Sequence, residues 1–259
     1  MQELLAHPAV QGGLAPFGAG LAVALLLSPL RLSGLAAAGG FFTAVYLTGQ
    51  LGLEKKVLMI SMAAALLGAL ADLAFRPTRA AGVVLGIAFG GAAFWIFVST
   101  LGYLPAQRLV AYAVGIALFV AVTVLFCMVS QGDPSRASAA GVGLGLASGV
   151  LAFLGGAQVL AVWGFGLAAG SAGFLLATGL RRRIVAGASL SLSTGVIGSV
   201  LAVAVGLQRG LDWYYVVLLC LLPLAVLLPA PRRGAGQAAM ALVYAVAVAG
   251  AVCLMVWKR

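Results

Sequence analysis

The sequence predicts an all-α protein, a polytopic bundle of about ten transmembrane helices with no soluble domain. Of its 259 residues, 64% are apolar and only 8% are charged, whereas a soluble domain carries roughly a quarter charged residues. The apolar residues form runs close to the ~20 residues that a helix needs to cross the hydrocarbon core. Short charged or proline-containing breaks separate these runs, so they predict one compact membrane domain covering 1–259.

The breaks divide the chain into ten predicted spans. In order, the spans cover residues 14–30, 34–53, 57–75, 80–101, 109–130, 138–155, 158–180, 184–206, 213–229 and 236–257. The weakest break separates spans six and seven, because no charge occurs between Ala137 and Leu180. The Gly155-Gly156 pair predicts a hairpin turn there. Without that turn the chain would have nine spans, and its C-terminus would lie on the other side.

The basic residues predict an orientation. With ten spans, nine of them fall on the side of the odd-numbered loops: Arg31, Arg76, Arg79, Arg136, Arg181, Arg182, Arg183, Arg232 and Arg233. Six fall on the other side: Lys55, Lys56, Arg108, Arg209, Lys258 and Arg259. Because cytoplasmic loops are enriched in Lys and Arg, both termini are expected outside the cytoplasm, in a bacterial inner membrane. The net charge of +10 is then assigned to topology and to membrane lipids as partners, not to nucleic acid.

Two glycine ladders lie in a short internal repeat. AAGVVLGIAFGGAAF from Ala80 and AAGVGLGLASGVLAF from Ala139 share ten of fifteen positions. One ladder is Gly82, Gly86 and Gly90, and the other is Gly141, Gly145 and Gly149. A spacing of four stacks glycines on one helix face, where a neighbouring backbone can approach closely. These faces are predicted to pack against other helices, with Trp95 and Trp163 as candidates to pack on glycine; a glycine-lined pathway is the alternative.

Three strings resemble a scattered set of bacterial membrane proteins. They are LAPFGAGLAVALLL from Leu14, LRLSGLAAAGGF from Leu30 and LLCLLPLAVLLPAP from Leu218. The chain as a whole loosely resembles alanine- and leucine-rich, ten-span proteins of no assigned function. That resemblance implies a fold but supplies no functional residues. The repeat joins spans four and six in parallel orientation, which argues against the inverted five-plus-five arrangement of the drug/metabolite transporter superfamily.

The sequence offers little catalytic chemistry. His7 is the single histidine, and the five carboxylates are scattered along the chain. Cys127, Cys220 and Cys253 lie apart inside apolar runs, unlike the clustered ligands of a metal site. No motif of a hydrolase, metalloprotease or nucleotide-binding loop occurs. We therefore expect no enzyme activity, no bound metal and no cofactor.

Polar residues within the spans are the remaining candidates. Asp72 is the single acid inside a predicted span, and an acid there is by default a functional candidate. It also lies one turn from Arg76, so an ion pair with Arg76 or Arg79 is the structural alternative. Two polar faces can either line a pathway or hydrogen-bond between helices: Thr43, Tyr46 and Gln50 in span two, and Ser189, Ser193 and Thr194 in span eight.

These features lead to two candidate functions. The first is a small transporter or exporter of a weakly polar or lipid-like solute, since the scarcity of charge inside the spans disfavours a strongly charged substrate. The second is a non-catalytic accessory or structural subunit of a larger membrane complex, whose partners would be other membrane subunits. A polar cavity between spans two, three and eight would favour the transporter.

Overall fold

The computed structural model describes residues 7–49, 55–74, 79–181, 184–209, 213–229 and 235–257. Every regular element in that part is helical. In chain order the helices are α1 (Val10–Leu26), α2 (Ser33–Thr48), α3 (Lys55–Ala74), α4 (Arg79–Leu101), α5 (Ala106–Val129), α6 (Pro134–Leu154), α7 (Gln158–Leu180), α8 (Gly187–Arg209), α9 and α10 (Ala235–Trp257). Helix α9 consists of two short pieces, Trp213–Leu218 and Leu221–Ala225.

Seven of these helices, α3 to α8 and α10, are long and apolar enough to cross a membrane. The other three are apolar but shorter, at 10–17 residues. The predicted all-helical bundle is confirmed for the described residues. Seven helices of this length and composition also support the prediction of a membrane protein, because an exposed apolar helix of some twenty residues is stable in lipid and not in water.

Prolines determine where two of the short helices end or break. Helix α1 ends at Leu26, before the end of the predicted span 14–30, and a short 3-10 turn over Ser28–Leu30 contains Pro29. In α9, the ring of Pro223 would clash with the Leu219 carbonyl in a regular helix. The chain tightens there instead, and Leu222 N–H donates to the Leu219 carbonyl at 3.1 Å.

Helix α8 is the centre of the bundle. Every residue from Ala188 to Gly206 is buried, and α3, α5 and α6 all pack along it. Its sequence alternates glycine, alanine and serine with valine and leucine, and it has no charged side chain between Ala188 and Gly206. An uncharged helix of this composition suits the interior, and here the interior is made by other helices.

Both glycine ladders lie against the next helix in the chain. Those of α4 face α5: an added Cβ would lie 3.3 Å from Met128 Cβ at Gly82, 3.0 Å from the Ala121 carbonyl oxygen at Gly86, and 3.1 Å from Ala117 Cα at Gly90. Those of α6 face α7: an added Cβ would lie 2.8 Å from Ala168 Cα at Gly145 and 2.8 Å from Phe165 Cδ1 at Gly149. The repeated sequence thus builds two separate antiparallel hairpins.

Helix α7 packs against three other helices, α1, α2 and α6. Its Gly170 meets two other helices at once. A Cβ added at Gly20 of α1 would lie 2.6 Å from Gly170 Cα, and one added at Gly40 of α2 would lie 2.5 Å from the same atom. Three helices therefore meet backbone to backbone at this point, and van der Waals contact of this kind is what holds helices together in lipid.

The two candidate tryptophans behave differently. Trp163 on α7 is fully buried, stacks edge-on against Phe41 with ring centroids 5.9 Å apart, and donates its indole N–H to Thr48 Oγ1 at 3.0 Å. Trp95 is 68% exposed, so the prediction that it packs on a glycine face is wrong. It lies on the side of α4 that turns away from α5, and that side faces out of the bundle.

Candidate functional site

The serines of α8 lie in a closely packed interior. Ser189, Ser191 and Ser193 are at most 1% exposed, and their hydroxyls find no hydrogen-bond partner among the described residues. Thr194 instead donates to the Leu190 carbonyl of its own helix at 2.8 Å. Three hydroxyls without partners in a packed interior are unusual, since such groups normally find one.

Neighbouring glycines close the space beside these hydroxyls. A Cβ added at Gly68 of α3 would lie 2.8 Å from Ser189 Cα, and one added at Gly141 of α6 would lie 2.7 Å from Thr194 Cγ2. At the start of α2, a Cβ added at Gly34 would lie 2.5 Å from Leu190 N. The described residues where α2, α3 and α8 meet therefore pack backbone to backbone at Ser189, with no space between them for a solute.

Asp72 binds the beginning of α8. Its two carboxylate oxygens accept hydrogen bonds from the backbone N–H groups of Ala188, at 2.6 Å, and Ser189, at 2.8 Å. The first N–H groups of a helix have no partner within the helix and carry partial positive charge, so a carboxylate stabilises them. Asp72 thus links α3 to α8, and Ser33 adds a hydrogen bond from α2 to the Val185 carbonyl just before α8.

Gly187 makes room for this carboxylate. Its φ of 65° lies in the left-handed region, and a Cβ there would lie 2.7 Å from the Asp72 carboxyl carbon. The sequence predicted an ion pair of Asp72 with Arg76 or Arg79, but Arg76 and the side chain of Arg79 lie outside the described residues. Sequence reasoning missed the contact with α8, because the partners are 116 and 117 positions apart in the chain.

Asp133 binds the beginning of α6 in the way that Asp72 binds the beginning of α8. It accepts from Ser135 N–H and Arg136 N–H at the start of the helix, pairs with the Arg136 guanidinium at 3.4 Å, and accepts from the Gln237 amide of α10. Asp72 and Asp133 are the only carboxylates in the part of the chain that the structure describes. Both carboxylates accept hydrogen bonds from the first backbone N–H groups of a helix, on the same side of the bundle. Neither is therefore free to take a proton from a bound solute.

The polar face predicted on α2 does not line an interior channel in the described residues. Tyr46 is 85% exposed and lies on the outside of the bundle. Thr43 donates to the Gly39 carbonyl of its own helix at 2.8 Å, and Gln50 lies outside the described residues. The structure therefore does not bring this face together with Ser189 and Ser193.

A lateral recess between α1, α6 and α7 has room for a solute. Its volume is about 420 Å³, within the roughly 300–1,000 Å³ of small-molecule sites. We call it the lateral recess; its lining residues are Pro8, Ala9, Gly12, Gly13, Val142, Leu146, Phe165, Ala168, Ala169 and Ala172. None of them has a polar side chain. The recess lies near the middle of α6 and α7 and opens sideways, so it suits an apolar molecule arriving from the lipid.

Gly13 is the most useful residue of the lateral recess for experiment. A Cβ added there would meet nothing within 4 Å, so a side chain can leave the backbone at this position without a clash. Sequence reasoning missed this site. Its one local signal, the Gly12-Gly13 pair at the start of a helix, is common in membrane helices, and its other walls come from segments more than a hundred residues away.

No group of three metal-ligating side chains occurs among the described residues, and Cys127, Cys220 and Cys253 are free thiols. Comparisons with known proteins found no match to a family model, no similar curated protein and no similar solved structure.

Proposed function

We propose that this protein transports or exports a weakly polar or lipid-like solute across a bacterial inner membrane, and that the lateral recess is where the solute binds. The lateral recess carries this proposal, because its volume suits a small solute, its lining side chains are all apolar and it is open to the side. The described residues of α2, α3 and α8 pack closely around Ser189 and form no polar cavity there, so the transport proposal rests on the lateral recess alone. The engagement of Asp72 and Asp133 argues against a charged substrate.

The proposed topology has ten spans, with α1, α2 and α9 crossing the membrane beside the seven longer helices. Helices α1 and α2 both pack along α7, a helix of 23 residues, which supports their lying at membrane depth. Both termini are outside the cytoplasm in this proposal, because nine of the fifteen basic residues then face the cytoplasm.

A C-terminal fusion tests the orientation. A fluorescent protein that matures only in the cytoplasm should stay dark after Arg259 and become bright when inserted beside Arg182. A bright C-terminal fusion would reverse the orientation or remove one span.

Filling the lateral recess tests the function. Gly13→Leu should reduce movement of an apolar probe, a fluorescent fatty acid, across proteoliposome membranes by about tenfold or more, since the leucine occupies the solute's space. Gly18→Leu is the matched control, because it lies on the same helix, is exposed and also meets nothing within 4 Å. Equal transport by both folded variants would contradict the proposal.

The competing function is that of an accessory subunit, and the small residues of the lateral recess favour it. A groove built from glycine and alanine also suits the backbone of a partner transmembrane helix. Purification in mild detergent separates the two functions. A partner subunit that copurifies with wild type and Gly18→Leu, but not with Gly13→Leu, would establish the accessory function; a solitary chain favours transport.

A further inference from the structure

A second cavity opens at the other end of α8, away from the residues bound by Asp72. It is a crevice of about 120 Å³ where the start of α3, the end of α4 and the end of α8 meet. Because a single water needs only ~10–15 Å³ of such space, the crevice can hold a small polyatomic group. It is separate from the lateral recess and shares no lining residue with it.

The crevice has a polar rim and an apolar floor. Lys56 of α3, Ser99 and Thr100 of α4 and Gln208 of α8 form the rim, while Phe97 and Ala204 are buried in the floor. The Lys56 ammonium donates to Ser99 Oγ at 3.1 Å. An ammonium has three N–H donors, so it can bind further acceptors while keeping this contact. No carboxylate is among the described residues that line the crevice.

The crevice lies at the ends of two helices that are long enough to cross a membrane. It lies where α3 begins and α4 ends, and both helices are long and apolar enough to cross a membrane. The ends of such helices lie at the level of lipid headgroups, and in the proposed topology this end is the non-cytoplasmic one, where a lysine ammonium can pair with a headgroup phosphate. An apolar floor below a cationic rim matches a molecule that is anionic at one end and apolar at the other.

We propose that this crevice binds an anionic phosphoryl group, held by Lys56 together with the hydroxyls of Ser99 and Thr100. The phosphoryl group belongs either to the headgroup of an anionic phospholipid or to phosphate in solution. Its oxygens would accept from the ammonium and from both hydroxyls, and the Gln208 amide lies at the same rim. The site does not depend on the proposed transport function.

Thermal unfolding of the purified full-length chain tests the proposal with three probes: phosphatidylglycerol, phosphatidylcholine and inorganic phosphate. A ligand that binds the folded state raises the melting temperature. Phosphatidylglycerol should raise that of wild type, and Lys56→Gln should increase the half-saturating concentration about tenfold or more, because it removes a charge-assisted hydrogen bond to the phosphoryl group. Lys55→Gln is the control, because Lys55 is exposed, carries the same charge and does not line the crevice.

Each shift is measured against the variant's own melting temperature, so a change in stability alone cannot imitate a change in binding. A Lys56-dependent shift with phosphatidylglycerol, and with neither other probe, supports the site with a lipid source. The same dependence with inorganic phosphate supports the site with a soluble source. An unchanged response in Lys56→Gln, or no response in wild type to either anionic probe, overturns the proposal.

Discussion

Replacing Gly145 with leucine should destabilise the bundle by about 3 kcal/mol, the upper end of the usual cost of overpacking. A Cβ at Gly145 would lie 2.8 Å from both Ala168 Cα and the Gly164 carbonyl oxygen. The obstacle is backbone, so no side-chain rotation can relieve it. Helix α7 cannot easily move away either, because α1 and α2 pack closely at Gly170.

Substitutions at two further glycines, Gly86 and Gly115, should have smaller effects. Gly86→Leu should cost less, about 1 kcal/mol, because a Cβ there is 3.0 Å from one carbonyl oxygen and α5 has exposed surface on its other side. Gly115→Leu is the control: Gly115 is exposed on α5, and an added Cβ meets nothing within 4 Å. The midpoint temperature of thermal unfolding, measured in one detergent, should be highest for Gly115→Leu, lower for Gly86→Leu and lowest for Gly145→Leu. A Gly145→Leu variant that melts like wild type would refute close packing at this seam.

Replacing Asp72 with alanine should lower the free energy of unfolding by about 2 kcal/mol or more, from the loss of two charge-assisted hydrogen bonds to the start of α8. Asp72→Asn keeps one acceptor oxygen but not two, so it should lose about half as much. The melting temperature is expected to be highest for wild type, lower for Asp72→Asn and lowest for Asp72→Ala.

The same variants distinguish structure from coupling. If Asp72 only holds α8 in place, folded Asp72→Asn protein should move the fluorescent fatty acid at close to the wild-type rate. If the carboxylate binds a proton or cation during transport, folded Asp72→Asn protein should be inactive despite a normal yield. That second outcome would contradict the structural role that we assign to Asp72.

The sequence predicted the features that depend on residues near one another in the chain, namely the long helices and their glycine faces. Apolar runs of about twenty residues predicted the long helices, since one helix in lipid must satisfy its own backbone. The four-residue spacing of glycine predicted close-packing faces, but not the neighbour of each face. Trp95 and Trp163 show the limit, because both lie in apolar helices near glycines and only the arrangement of α4 and α7 decides which one is buried.

The candidate site depends on contacts between distant segments, and these leave little trace in one sequence. Asp72 and the start of α8, or Gly12 and Phe165, come together only when the helices assemble. The shape of the lateral recess depends on how α1 packs along α7 beside α6. Composition predicted no clustered catalytic groups, but it could not locate an apolar cavity among so many apolar residues.

Photo-crosslinking tests the central claim most directly, which is that a lipid-like solute occupies the lateral recess. The full-length protein in vesicles is labelled with a fatty acid that carries a diazirine near the middle of its chain, and the modified residues are identified by mass spectrometry. We expect adducts on Gly12, Gly13, Leu146, Phe165 and Ala169, lost in Gly13→Leu and kept in Gly18→Leu. Labelling spread evenly over the exposed leucines of α3, with no change in Gly13→Leu, would contradict the claim.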